Sequence, residues 1–293
     1  MPTANGAQES LTPSPSPVRG RGETTGRRRV SGLAVGVGVL GGALLLFLAL
    51  PLVSLVWRAW RIGAFGARLP DDLVLDALRL SATTTALALA VSIALGTPLA
   101  WVLARREFVG RRVVETLVDL PLVLPPVVAG VALLTAFGRR GLLGGELGAL
   151  GISLPFSTAA VVVAQVFVAA PFFVRSARTG FAAVQREVEE AAAIDGAGAW
   201  RVFRDITWPL ARQGAIAGAV LCWARALSEF GATLLFAGNL QGRTQTMPLA
   251  IMSAFEGDLT DALALSVILL AASAAVLAIA RAVVRDDRGD VWR

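Results

Sequence analysis

Residues 30–56 read VSGLAVGVGVLGGALLLFLALPLVSLV, without one charged side chain. An α-helix rises about 1.5 Å per residue, so about 20 residues cross the roughly 30 Å of hydrocarbon in a bilayer. This run is long enough by itself. It is too long for the core of a signal peptide and lacks a small-residue cleavage site, so it reads as a retained first span. Ahead of it, residues 1–29 hold Pro, Ser, Gly, Thr and Arg with almost nothing that can pack, which predicts a disordered tail. Behind it, apolar stretches recur at 80–104, 117–137, 154–174, 215–237 and 262–284, and residues 285–293 form a short polar tail. The fourth stretch is the weakest and reaches span length only if it begins near Leu154; Gln165 is its one strongly polar residue. The pattern predicts an all-α polytopic membrane protein with six transmembrane helices over 30–284.

Composition agrees. Of the 293 residues 55% are hydrophobic, and the charged ones cluster between the apolar stretches instead of spreading evenly. A soluble helical protein is excluded on this ground, since core helices seldom run uncharged for about 20 residues, let alone repeatedly. With no His and one Cys, a His/Cys zinc site, a His-based triad, an iron–sulfur cluster and a disulfide all lack their parts. Cys222 reads as a small packing residue. Every basic residue is Arg, so the Gly-rich phosphate loop that ends in Lys-Ser/Thr is impossible, and the chain is expected neither to hydrolyse ATP nor to hold a metal or cofactor.

The net charge of +6 needs no nucleic acid to explain it. With the amino terminus inside, 19 Arg fall on cytoplasmic segments and 7 on outer ones, while Arg225 lies within a span. Positive charge accumulates on the cytoplasmic side, so both termini are expected there.

The longest internal connection is 175–214. Phe181, Val184, Val188, Ala191 and Ala192 recur at spacings of three and four among Arg186, Glu187, Glu189 and Glu190, which predicts a short amphipathic helix. Gly196 and Gly198 interrupt it, Trp200, Val202 and Phe203 begin a second element, and Pro209 should end or bend that one. Within this segment Glu190-Ala191-Ala192, three residues, Gly196, nine residues and Ile206-Thr207-Trp208-Pro209 resembles the EAA loop of ABC importer permeases, with Trp208 where Leu is usual. In that family the loop forms coupling helices that dock into a cytoplasmic ATPase. The resemblance implies polar contact through Glu190, with Ala191 and Ala192 beside it, and a tight turn at Gly196. It further implies an apolar docking surface from Trp200 and Phe203, with Pro209 closing the motif.

Two groups inside the membrane stand out. Arg225 and Glu229 are four apart, on one side of a helix, with Ser228 nearby; a lone charge at that depth costs roughly 2.5–3.5 kcal/mol, so the two are expected to face each other, a subunit interface or a watery path. A pair that only fixes helix packing and an Arg225 that meets an anionic substrate both fit. The prolines Pro121, Pro125 and Pro126 break the hydrogen-bond ladder of the third stretch, either to help form an anion path or as a packing bend.

The run Arg225-Ala226-Leu227-Ser228-Glu229-Phe230-Gly231-Ala232-Thr233, with Gly242-Arg243-Thr244-Gln245-Thr246-Met247-Pro248 beyond it and Asp119-Leu120-Pro121 to Pro125-Pro126 before it, resembles the molybdate permeases of ABC importers over about 80–284. Thr233 joins Arg225, Ser228 and Glu229 as a pore or packing candidate on this likeness. Sulfate and thiosulfate permeases are similar but carry Tyr-Gly-Ser at Phe230-Gly231-Ala232 and lack the Thr-Gln-Thr element; tungstate is indistinguishable from molybdate at this level. The resemblance implies a type I ABC importer permease (MetI-like) fold in the bacterial inner membrane. It also implies a second copy of the chain, two ATPase subunits that bind ATP and Mg, and an extracytoplasmic molybdate-binding protein. A stand-alone secondary transporter would need internal coupling residues, and Arg225 with Glu229 is the only mid-span charged pair; a membrane scaffold without transport is the other competing class.

Overall fold

A computed structural model describes residues 32–66 and 71–289; the tail 1–29 and the last residues, 290–293, lie outside the described residues. Among the described residues there is no strand. Two compact units divide at Pro51 and Leu52. The described part of the first is helical, residues 32–51 of α1 (Gly32–Arg61).

The second unit holds the end of α1 and then α2 (Asp71–Arg105), α3 (Arg111–Val123), α4 (Pro126–Phe137), α5 (Gly144–Ala149), α6 (Thr158–Ala182), α7 (Arg186–Ile194), α8 (Ala199–Val202), α9 (Trp208–Leu227), α10 (Gly231–Ala237), α11 (Met247–Gly257) and α12 (Leu259–Gly289). Four stretches are single helices long and apolar enough to span: Gly36–Arg61, Asp72–Arg105, Thr158–Ala182 and Leu259–Ala278. The fifth is a bent pair, and the third is two short helices, of which α4 is apolar and only 12 residues long.

At the centre stands α6, packed most extensively against α9 and α2 and also against α10 and α4. Ser157 starts it, its hydroxyl accepting the Ala160 N–H at 3.2 Å, so one otherwise unpaired amide of the first turn is satisfied. Ala164, Ala169, Phe173, Ala177 and Phe181 then face inward. Residues 175–214 are not one loop: α6 continues to Ala182 and α9 begins at Trp208, leaving 183–207 as the connection. Phe181 therefore closes α6 and Val184 lies in the link, both buried, instead of lying on the helix that carries Val188.

Small residues bring α6 and α9 into backbone contact, the packing that lipid-embedded helices use when no hydrophobic force separates helix from lipid. A Cβ on Gly214 would sit 2.6 Å from Gly180 Cα and 2.9 Å from Ser176 O, and Ser176 Oγ donates to Gly214 O at 2.8 Å. These neighbours are mostly backbone and cannot turn aside. Gly214→Leu is expected to force the two helices apart and lower the melting temperature of the purified complex, by the equivalent of about 1–3 kcal/mol. An unchanged melting temperature would contradict this packing.

Ion pairs align the start of the third stretch with the end of the fourth. Glu115 meets Arg178 at 2.9 Å and Asp119 meets Arg175 at 3.7 Å, so the charged face of α3 lies level with the last turns of α6. Arg111 adds pairs to Glu107 and Glu115.

Candidate coupling and translocation site

The segment 183–207 folds as a knob. Glu187 and Glu189 occupy the first turn of α7, where carboxylates complement the helix dipole. At its other end Ala197 N–H donates to Ala192 O at 3.0 Å and Gly196 N–H to Ala193 O at 3.1 Å, a paired closure that requires a left-handed residue at Gly196, whose φ is +88°. After α8 the chain passes through a single wider turn, Phe203–Thr207, straight into α9. Pro209 does not end that run; the wider turn directly before it, Phe203–Thr207, accommodates the N–H that the proline lacks.

Residues 199–227 are thus one helical run. At the α-helical rise it is about 40 Å long, a rod leading from the knob into the membrane.

Phe203 is half-buried, with ring centroids 5.8 Å from Trp200, 6.3 Å from Trp101 and Phe181 and 6.5 Å from Trp208, so it ties the knob to α2 and α6. Trp200 is 70% exposed and is the outward aromatic. Glu190 is exposed and has no hydrogen bond or ion pair among the described residues, while Ala191 is exposed beside it and Ala192 half-buried.

The contact that ties the knob down was not visible in the motif. Glu189 pairs with Arg105, the last residue of α2, at 3.1 Å, and accepts a hydrogen bond from the Thr207 hydroxyl. The two charged side chains are 9% and 19% exposed. Removing one partner of a buried pair typically costs about 3–5 kcal/mol, because the other charge is left behind. Glu189→Ala is expected to free α7, which limited trypsin digestion would read as cutting after Arg201 or Arg204 several-fold faster than in the parent protein. Equal cutting rates would show that the pair does not hold the knob.

Deeper in the chain two helix breaks touch. The third stretch breaks at Leu124 and Pro125, both extended, and α4 restarts at Pro126; Pro121 stays inside α3. The fifth stretch, expected to be a continuous helix, breaks too. It leaves the helix after Leu227 and resumes at Gly231 with a bend of 59°. A Cβ on Gly231 would lie 2.7 Å from Pro126 Cβ, and one on Gly130 would lie 2.8 Å from Leu235 Cβ, so the second halves of both broken stretches pack tightly together.

Glu229 occupies this junction, 1% exposed. It is not on the helix with Arg225, as the spacing suggested, but at the break, where Oε1 accepts the Ala232 N–H at 2.8 Å and Oε2 meets Arg225 at 2.7 Å. One carboxylate therefore caps α10 and neutralises the only arginine of the fifth stretch. Ser228 is exposed at the bend and donates to Arg225 O at 3.1 Å. Thr233, one turn on, is fully buried and its hydroxyl has no hydrogen-bond partner. Broken helices with polar groups at the break are the usual membrane solution for a transient ion site.

Among the remaining motif residues, Thr244, Gln245 and Thr246 are buried; the first two serve as an anchor, while the Thr246 hydroxyl has no hydrogen-bond partner. The Thr244 hydroxyl accepts Leu240 N–H at 2.9 Å, and the Gln245 amide donates to Ser253 at 3.4 Å. Met247 N–H donates to Ser81 Oγ at 2.8 Å, tying α11 to α2. Gln165, the polar residue of the fourth stretch, donates to Thr85 on α2 at 3.4 Å.

Comparison with known proteins agrees with this geometry. Residues 96–286 match the family model described as "Binding-protein-dependent transport system inner membrane component". The chain is 44% identical over 234 residues to "Molybdenum transport system permease protein ModB" of Mycobacterium tuberculosis, a match covering 80% of this chain and 88% of that protein. The protein of the same name from Escherichia coli is 43% identical over 177 residues, covering 60% of this chain and 77% of that one. Among solved structures, a bacterial ABC transporter that imports the acidic polysaccharide alginate superposes with a TM-score of 0.69 at 16% identity, over 87% of this chain and 96% of that chain. The likeness places the helical architecture among ABC importer permeases.

Proposed function

The chain belongs to the binding-protein-dependent transport system inner membrane component family, and from that premise we propose that it is the membrane-spanning permease of an ATP-driven importer for molybdate. It is a multi-pass inner-membrane protein. The observation that carries the substrate is the 44% identity to a molybdenum permease across 80% of the chain, a region long enough to include both the knob motif and the paired breaks whichever end is left uncovered. The Phe230-Gly231-Ala232 run and the Thr-Gln-Thr element point the same way.

In this reading the pore is built from two copies of the chain, each gripped at its knob by one ATPase subunit that binds ATP and Mg. Glu190 and Trp200 make the grip, with Ala191 and Ala192 beneath them and Gly196 setting the turn. Both termini are cytoplasmic, as the 19 to 7 distribution of Arg favours. When ATP draws the ATPases together the knobs move, and the rod 199–227 delivers that movement to the junction of Pro126, Glu229 and Gly231. A molybdate-binding protein outside the membrane performs most of the selection, and the pore holds the dianion only weakly so that release stays fast.

Uptake of labelled molybdate into vesicles that contain the complete complex tests this. ATP-dependent uptake that survives equimolar sulfate is the expected result. Uptake abolished by equimolar sulfate would reassign the chain to sulfate.

A further inference from the structure

Where α2 ends, it and the α7–α8 hairpin enclose a cleft of about 410 Å³ whose lining includes Trp101, Arg105, Arg106, Arg186, Glu189 and Glu190. Three guanidinium groups meet two carboxylates there, and Glu189 is already taken by Arg105 and Thr207. Arg105 is nine-tenths buried, yet its Nε has no hydrogen-bond partner. The Arg106 guanidinium lies over the Trp101 ring, 5.9 Å from its centroid, and Arg186 reaches Arg105 O at 3.4 Å. Positive charge with donor capacity to spare is thus fixed at the end of a membrane-length helix.

A second cleft of about 600 Å³ adjoins the first and shares Trp101, Ala199 and Phe203 with it. Its other walls are Ile93, Ala94, Thr97, Pro98 and Trp200. The basic cleft is at the charged end of α2 and the apolar cleft runs back along α2, within the stretch long and apolar enough to span a bilayer. An acidic side chain from a partner protein would satisfy the first and leave the second empty. A molecule with an anionic head and an apolar tail satisfies both, and basic pockets at the cytoplasmic ends of spans recognise lipid head groups by this charge.

We propose that the paired cleft binds an anionic phospholipid, with its phosphate among Arg105, Arg106 and Arg186 and an acyl chain along Ile93, Ala94 and Trp101. The lipid then touches α8 and the face of α2 that holds the knob, so membrane charge bears on the coupling element. The inference rests on the membrane placement of α2 and not on the substrate. Its test measures lipid retention without transport, which keeps the two readings separable.

Native mass spectrometry of the purified complex with its ATPase, incubated with phosphatidylglycerol or phosphatidylcholine, reads the site. The parent complex is expected to retain phosphatidylglycerol in preference. Arg106→Gln with Arg186→Gln should lower retention about tenfold, since each basic group near the surface contributes on the order of a few-fold to anionic lipid binding. Ala94→Trp, which fills the apolar cleft and leaves every arginine in place, should lower it as well. Equal retention of the two lipids, or phosphatidylglycerol retention unchanged in both variants, overturns the proposal. So does its displacement by equimolar inorganic phosphate with no effect of Ala94→Trp, which would mark a free-anion site. Cross-linking of Arg106→Cys to the ATPase in a parent complex that keeps no lipid would assign the cleft to protein docking and overturn it too.

Discussion

Glu229→Ala is expected to abolish transport and to destabilise the complex by about 3–5 kcal/mol, the range for removing one member of a buried ion pair. The side chain is 1% exposed and serves two groups at once, the Arg225 guanidinium at 2.7 Å and the Ala232 N–H at 2.8 Å. Its loss leaves a positive charge within a span and the start of α10 without its cap. Glu229→Gln keeps an oxygen for the Ala232 amide but not the charge, and should fall between the parent and the alanine variant. Pairing Arg225→Met with Glu229→Gln separates the two roles left open by the sequence. If the pair only fixes packing, the double variant regains both stability and uptake. If Arg225 meets the anion, stability returns and uptake does not. Thermal unfolding and molybdate uptake, measured on the same preparations, read both quantities. A Glu229→Ala protein that melts and transports like the parent would show the junction to be unimportant.

Gly196→Val is expected to lower uptake at least tenfold while the ATPase continues to hydrolyse ATP. No atom lies within 4 Å of a Cβ built on Gly196, so added bulk meets open space and the obstacle is the backbone, held at φ +88°. For most L-residues this conformation costs roughly 1–2 kcal/mol, and a β-branched residue is among the worst fits. Asn visits it readily. Gly196→Asn presents a side chain to the same open space and should keep near-parental uptake, so the difference between the two variants isolates the turn from the surface. Equal uptake by both would mean that the turn between α7 and α8 need not be held for coupling.

The apolar stretches were readable because hydrocarbon imposes a length that no soluble core demands, and residues 30–56 alone carry that message. The break near Pro125 and Pro126 was readable for a similar reason: a proline lacks the N–H that a ladder needs. Which proline breaks the helix was not, and Pro121 remains inside α3. The bend after Leu227 left no such mark, since no proline stands there. It depends on Gly231 lying against Pro126 and on Glu229 turning back to Ala232, contacts that appear only when α4 and α10 come together. Within the knob, the glycine turn was legible from Gly196, but the direction of Phe203 was not, because an aromatic in an amphipathic segment fits either face until Trp101 and Phe181 close around it. Arg105 and Glu189 are 84 positions apart, and spacing carries no information about such a pair. The Thr-Gln-Thr element stood out as a signature, yet the Thr244 and Gln245 side chains are spent on anchoring α11 and the preceding loop.

That segment 183–207 is the cytoplasmic handle gripped by the ATPase is the claim on which coupling depends, and Trp200→Cys reports on it directly. The chain's one native cysteine, Cys222, is buried and gives little background. A membrane-impermeant maleimide should label Trp200→Cys in inside-out vesicles stripped of the ATPase, fail to label it in intact cells, and lose access when the ATPase is restored. Labelling from the outer face, or labelling that the ATPase leaves untouched, would contradict it.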